Sequence, residues 1–142
     1  MTAPAVHLPG RLVYRALFVL AALDSFGWGS WAVLRPADLF AWLQTSPPHD
    51  VLLWQVLGLL TIMQGAFLVA AGTWPESMGP LVLVPLAGRL LAAGTWLWLL
   101  GTDRVHLPAA RLTILAVRDG LWALLFAWFF FVWWRFTSRR ST

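Results

Sequence analysis

The chain has no cysteine and no lysine, and charged residues make up only 11% of it. Without cysteine there is no disulfide, no thiolate metal site and no cysteine nucleophile. Without lysine, all ten basic residues are arginine, and they are scattered rather than clustered. The formal net charge of +4 therefore does not point to nucleic acid, which selects a basic patch or stripe. The three histidines, His7, His49 and His106, fall outside the long apolar runs, so haem or chlorophyll ligation at mid-membrane is not expected. His49 and His106 fall on one side with Asp50 and Asp103 nearby, a set that metals accept, but loop histidines facing water are the ordinary reading and no metal is expected. No phosphate-binding glycine loop, hydrolase elbow or dinucleotide fingerprint is present.

What is abundant is apolar. Of 142 residues, 60% are hydrophobic, and the mean hydropathy is +0.73. A soluble domain of this length cannot hide so much apolar surface, so composition alone implies an integral membrane protein. Crossing the hydrocarbon takes roughly 20 apolar residues. Four stretches qualify, about 12–34, 51–72, 80–101 and 109–134. The first carries Arg11 and Arg15 ahead of an apolar run that is too long for a signal peptide, and reads as a retained span. Breakers separate the spans: Arg35-Pro36, Ser46-Pro47-Pro48, Gly72 with Pro75, and Asp103-Arg104 with Pro108. The expected fold is all-α, a single-domain antiparallel four-helix membrane bundle. The two later connections are short and make spans two, three and four antiparallel neighbours. The loop PADLFAWLQTSPPHD reads as a short amphipathic interfacial helix.

Arginine bias gives an orientation. Arg11, Arg15, Arg135, Arg139 and Arg140 share the side of the termini, and Arg35, Arg104 and Arg111 share the other. The expectation is a multi-pass membrane protein with both termini cytoplasmic. Trp31, Trp42, Trp54, Trp96 and Trp98 read as an outer aromatic belt, and Trp74, Trp133 and Trp134 as an inner one. The pentad AAGTW recurs at 70–74 and 92–96, but at different depths, and reads as biased composition.

The polar residues inside the spans form a pattern. Counted from the outer ends at 1.5 Å per residue, Asp24 and Asp119 lie about ten residues deep and Arg89 about twelve, with Arg118 at the same level. Two acids and two bases at one depth make a neutral cluster. Gln64 lies beside Gly65, the middle of a glycine series Gly58, Gly65 and Gly72, and Gln55 sits nearer the outer surface. Small residues mark close helix contacts. Ala116, Gly120, Ala123 and Ala127 form such a stripe beside Asp119, and Gly88, Ala92 and Thr95 form one beside Arg89. The short 102–108 connection then pairs Asp119 with Arg89, leaving Arg118 for Asp24 or for another protein. Each intramembrane charge costs about 2.5–3.5 kcal/mol on the insertion scale, so the fourth span needs partners. A structural lock, a site for quinone, lipid or another ligand, and a route for ions or protons all remain open at this cluster. No catalytic residue emerges. WFFFVWW, residues 128–134, reads as a surface facing lipid or other subunits.

LLWQVLG at 52–58, AGRLLAAG at 87–94 and RDGLW at 118–122, together with the length and the four spans, resemble the small four-helix bacterial membrane proteins of the DoxX-like kind. The resemblance runs from about Tyr14 to Trp134. It implies a basic residue near Arg89 and an Asn-Asp pair where this chain has Arg118-Asp119. It also implies association with membrane oxidoreductases as a small quinone-linked subunit. Small multidrug transporters are a rival, with a carboxylate in the first span as Asp24 is here, but they are usually shorter and lack paired arginines. The leading expectation is a non-catalytic accessory subunit of a larger membrane electron-transfer complex, respiratory or photosynthetic. The alternatives are a quinone-binding oxidoreductase subunit and a small homodimeric transporter. The expected partners are integral membrane subunits and lipid, not nucleic acid. No covalent or metal cofactor is expected, while lipid, quinone or pigment at the bundle surface stays open.

Overall fold

The computed structural model describes residues 10–46, 51–102 and 108–139. Helix α1 spans Arg11–Leu34, α2 Pro36–Leu43, α3 Val51–Thr73, α4 Leu83–Thr102 and α5 Ala109–Ser138, with a 3-10 turn at Gly79–Val82 leading into α4. There is no strand among the described residues. Four helical stretches, Arg11–Leu34, Val51–Thr73, Gly79–Thr102 and Ala109–Ser138, are long and apolar enough to cross a membrane. The protein is an all-α, multi-pass membrane bundle. His7, His49, His106, Asp50, Asp103, Arg104 and Arg140 lie outside the described residues.

Local chemistry sets the boundaries. Pro36 disfavours helical backbone in the residue before it, and Arg35 accordingly leaves the helix at φ −137°. Pro36 then opens α2, where its missing N–H costs nothing, and Asp38 sits in the first turn near the positive end of the helix dipole. Within the spans, Thr61, Thr95 and Thr113 each return their hydroxyl to the carbonyl four residues earlier, at 2.8–2.9 Å. In hydrocarbon a polar group must find its partner inside the protein, and this is the nearest one.

The bundle is two tightly packed helix pairs, α1 with α3 and α4 with α5. Gly58, Gly65 and Gly72 form the α3 side of the first seam. A Cβ on Gly58 would stand 2.9 Å from the Gly29 carbonyl, and one on Gly29 would stand 2.6 Å from the Gly58 carbonyl. Gly65 receives the Phe26 ring and Gly72 the Phe18 side chain. The short link between spans two and three does not make α3 and α4 close neighbours, contrary to the expectation above. Glycine lets α3 settle on α1, and the bulkier face it turns to α4 meets it sparsely.

The second seam corrects another expectation. On α4 the buried face is Pro85, Arg89 and Ala93, not the stripe Gly88, Ala92 and Thr95. Thr95 is exposed, and Gly88 lies opposite the Gln64 amide. On α5, Ala116 and Ala123 are buried, but Gly120 faces open space and Ala127 is exposed.

Between the two pairs the α1 and α5 backbones stand further apart, and large side chains fill the gap. At the end carrying Arg11 and Arg139, Phe18 packs edge-on against Phe129 at 4.7 Å and stacks with Phe126 at 6.4 Å. Tyr14 meets Trp128 and Phe129 at 5.3 and 5.1 Å. At the other end α2 turns Leu39, Phe40 and Leu43 inward, against Ala32, Leu115 and the rings of Trp28, Trp31, Trp54 and Trp96. The helix of the first loop therefore closes the bundle end with its apolar face. Midway between these two apolar plugs lies the polar cluster.

Candidate functional site

Each of α1, α4 and α5 delivers charge to one point. Arg89, only 5% exposed, extends from α4 across the bundle. Its Nη1 donates to Asp119 Oδ1 on α5 at 2.6 Å. Its Nη2 donates to Asp24 Oδ2 on α1 at 2.8 Å and to Ser25 Oγ at 3.1 Å. Arg118 grips Asp24 with two parallel bonds, Nε to Oδ1 at 2.9 Å and Nη2 to Oδ2 at 2.6 Å. Its Nη1 lies 3.5 Å from Asp119 Oδ1, and its guanidinium lies over the Trp28 ring at 4.7 Å. Trp96 Nε1 donates to Asp119 Oδ2 at 2.9 Å. Such short, charge-assisted and bidentate bonds are the strong class of protein hydrogen bond.

The arrangement is a closed ring of four charges. Arg89 bridges both acids, Asp24 bridges both bases, and the sum is zero. All four carboxylate oxygens already accept a bond from a guanidinium or from Trp96. Two features break the closure. The Arg89 Nε is enclosed and has no acceptor. The Asp24 and Arg118 side chains are 25% and 19% exposed, whereas those of Arg89 and Asp119 are almost fully covered. The cluster thus has a sealed side towards α4 and a partly open side along α1 and α5.

The two glutamines take separate places. Gln64 Nε2 reaches the Pro85 carbonyl on α4 at 3.5 Å, one turn before Arg89, and bridges α3 to α4 where they otherwise meet little. Gln55 Nε2 donates to the Val33 carbonyl at 3.1 Å, near the end of α1, and does not join the cluster. The pairing of Arg118 with Asp24 uses a residue of this same chain, so no second protein is needed to compensate it.

Three participants escape sequence reasoning. Ser25 is fully buried beside Asp24, and its adjacency to an intramembrane acid was the available signal. Trp96 and Trp28 were harder to see, because tryptophan in a membrane segment reads first as interfacial. Trp96 lies two turns beyond Arg89 on the same face and donates inward to Asp119. Trp133 likewise turns back into the protein, donating to the Glu76 carbonyl at 2.9 Å and filling the space that a side chain on Gly79 would need.

Chemically, the cluster joins α1, α4 and α5 through charge-assisted hydrogen bonds. Its one hydroxyl, that of Ser25, accepts from Arg89, and each acid is held by guanidinium. No group of three or more histidine, cysteine, aspartate or glutamate side chains converges among the described residues. Near the α2 end, Trp28, Ala32, Trp54, Leu57, Gly58 and Thr61 line a cavity of about 50 Å³, enough for a water molecule. Comparison with protein-family models, with curated proteins and with solved structures finds no match to this chain.

Proposed function

We propose that this protein is a non-catalytic transmembrane subunit of a larger membrane electron-transfer assembly, with the four-charge ring as the internal lock of its bundle. The supporting observation is the saturation of both carboxylates. A carrier that moves a cation needs an acid that alternates between its partner and its cargo, and Asp24 is already bonded by two arginines. A catalytic acid or base needs a group free to exchange a proton with substrate, and the ring offers none. The electron-transfer part of the reading rests on the resemblance of residues 52–58, 87–94 and 118–122 to DoxX-like membrane proteins, which implies association with membrane oxidoreductases. The reading places the chain in a bacterial inner membrane with Arg11, Arg15, Arg135, Arg139 and Arg140 on the cytoplasmic side, in accord with the positive-inside rule.

A second reading has one observation in its favour. The partial exposure of Asp24 and Arg118 is suited to a quinone or lipid headgroup that approaches between α1 and α5. Both readings are tested by extraction of the native membrane in mild detergent, followed by native mass measurement. Co-migration with cytochrome- or pigment-bearing subunits, and loss of the chain when those subunits are deleted, is the expected result. A quinone that co-purifies and is lost in Arg118→Leu would favour the second reading. An isolated dimer that moves a cation into liposomes, with transport abolished by Asp24→Asn, would overturn both.

A further inference from the structure

One face of α5 has the profile of a phospholipid. Leu121, Leu124, Trp128, Phe131, Arg135 and Arg139 follow each other at spacings of three and four, which keeps them on one side of the helix. Leu121 is 56% exposed, Leu124 71%, Trp128 46% and Phe131 50%, and Arg135 and Arg139 are exposed beyond them. The stripe therefore reads aliphatic, then aromatic, then cationic. At 1.5 Å per residue, Leu124 to Arg135 covers about 16 Å, close to half of a ~30 Å hydrocarbon core. An acyl chain laid on the apolar part brings its phosphate to the level of the two arginines.

The charges at that level favour an anion. The described residues of this end carry Arg11, Arg15, Arg135 and Arg139 against a single acid, Glu76, which pairs with Arg11 at 3.5 Å. The Arg135 guanidinium lies over the Phe131 ring at 5.3 Å, which holds it at the junction between the apolar stripe and the polar end. At the opposite end, by contrast, Arg35 is matched by Asp38 three residues on, and Arg111 is half-buried with its guanidinium over the Trp42 ring. We propose that this face of α5 binds an anionic phospholipid, its phosphate on Arg135 and Arg139 and one acyl chain along Leu121–Phe131. The occupant is defined by charge complementarity and by length, and the site stands apart from the ionic ring and from the function proposed above.

Delipidated wild-type protein in detergent, titrated with dioleoyl phosphatidylglycerol or dioleoyl phosphatidylcholine and followed by native mass spectrometry, tests the site. A basic residue near the surface contributes roughly fivefold to anionic-lipid binding. Wild type should retain phosphatidylglycerol preferentially, and Arg135→Gln/Arg139→Gln should lower that preference by about 25-fold. Arg35→Gln, a change of charge at the other end, should leave it unaltered. Equal retention of the two lipids by wild type, or an unchanged preference in the double variant, overturns the proposal. If the double variant does not fold, fluorescence of the wild-type protein decides. Brominated phosphatidylglycerol should quench tryptophan more strongly than brominated phosphatidylcholine at equal mole fraction, and equal quenching overturns the proposal. Displacement of the bound lipid by a co-purified protein subunit would reassign the face to a protein interface and overturn it equally.

Discussion

Replacing Arg89 by leucine removes a nearly buried side chain and three hydrogen bonds, to Asp119, Asp24 and Ser25. Two acids are then left with Arg118 as their one base, and the ring changes from neutral to −1. Asp119 keeps Trp96 and a long 3.5 Å contact with Arg118. Breaking a buried pair from one side costs about 3–5 kcal/mol, because the surviving charge is stranded in low dielectric. Asp119→Leu strands the other sign. Arg89 retains Asp24 and Ser25, but Trp96 Nε1 loses its acceptor, and the loss is again about 3–5 kcal/mol. The double variant behaves differently. It leaves Arg118 on Asp24 with both bonds intact, a neutral pair; Ser25 loses Arg89 but its hydroxyl can turn to the carbonyl four residues before it, and the remaining cost is an unpartnered Trp96 N–H of about 1–3 kcal/mol. The double variant should therefore be more stable than either single one, with a coupling energy of at least about 3 kcal/mol. Reversible unfolding in mixed micelles, applied to wild type, both singles and the double, measures it. Ordinary interhelical hydrogen bonds in membranes couple by about 0.6 kcal/mol on average and about 1.7 at most. A coupling below that maximum would refute the lock, since the charges would then behave as an ordinary polar contact.

The same unfolding assay separates a glycine that packs from one that does not. Gly29→Ala puts a methyl group 2.6 Å from the Gly58 carbonyl and should cost about 1–3 kcal/mol, whereas Gly94→Ala meets nothing within 4 Å and should be neutral or slightly stabilising. Trp96→Phe keeps the ring volume approximately but removes the donor to Asp119, and should cost about 1.5–3 kcal/mol, the range for a hydrogen bond to a charged group. A reporter active only in the cytoplasm should work when fused after Thr142 and fail when fused after Gln44. The reverse pattern would invert the orientation.

Much of this architecture is legible without coordinates, and the reason is the solvent. In hydrocarbon every backbone polar group must be satisfied within its own helix, so a span announces itself by length and apolarity. That is why the four spans read at about 12–34, 51–72, 80–101 and 109–134 recur as Arg11–Leu34, Val51–Thr73, Gly79–Thr102 and Ala109–Ser138. The depth of Asp24, Arg89, Arg118 and Asp119 follows from the same regularity, because helical rise turns a count of residues into a level.

Which face of each helix turns inward is not legible in that way. Lipid tails are as apolar as leucine, so burial inside the bundle leaves no hydrophobic signature to distinguish it from exposure to lipid. Small residues are the remaining clue, and on this chain they point both ways. Gly58, Gly65 and Gly72 do mark a seam, whereas Gly88, Ala92 and Thr95 do not, and the true inward face of α4 runs through Pro85, Arg89 and Ala93. Composition and periodicity determined that this chain crosses a membrane four times and carries two acids and two bases at one level. Only the tertiary structure decided that α1 lies on α3 instead of α3 on α4, that Arg89 reaches both acids at once, and that Ser25, Trp28 and Trp96 complete the ring. Depth is set by the bilayer and can be counted along one helix, but side-chain partnership is set by packing between helices, which no single segment encodes.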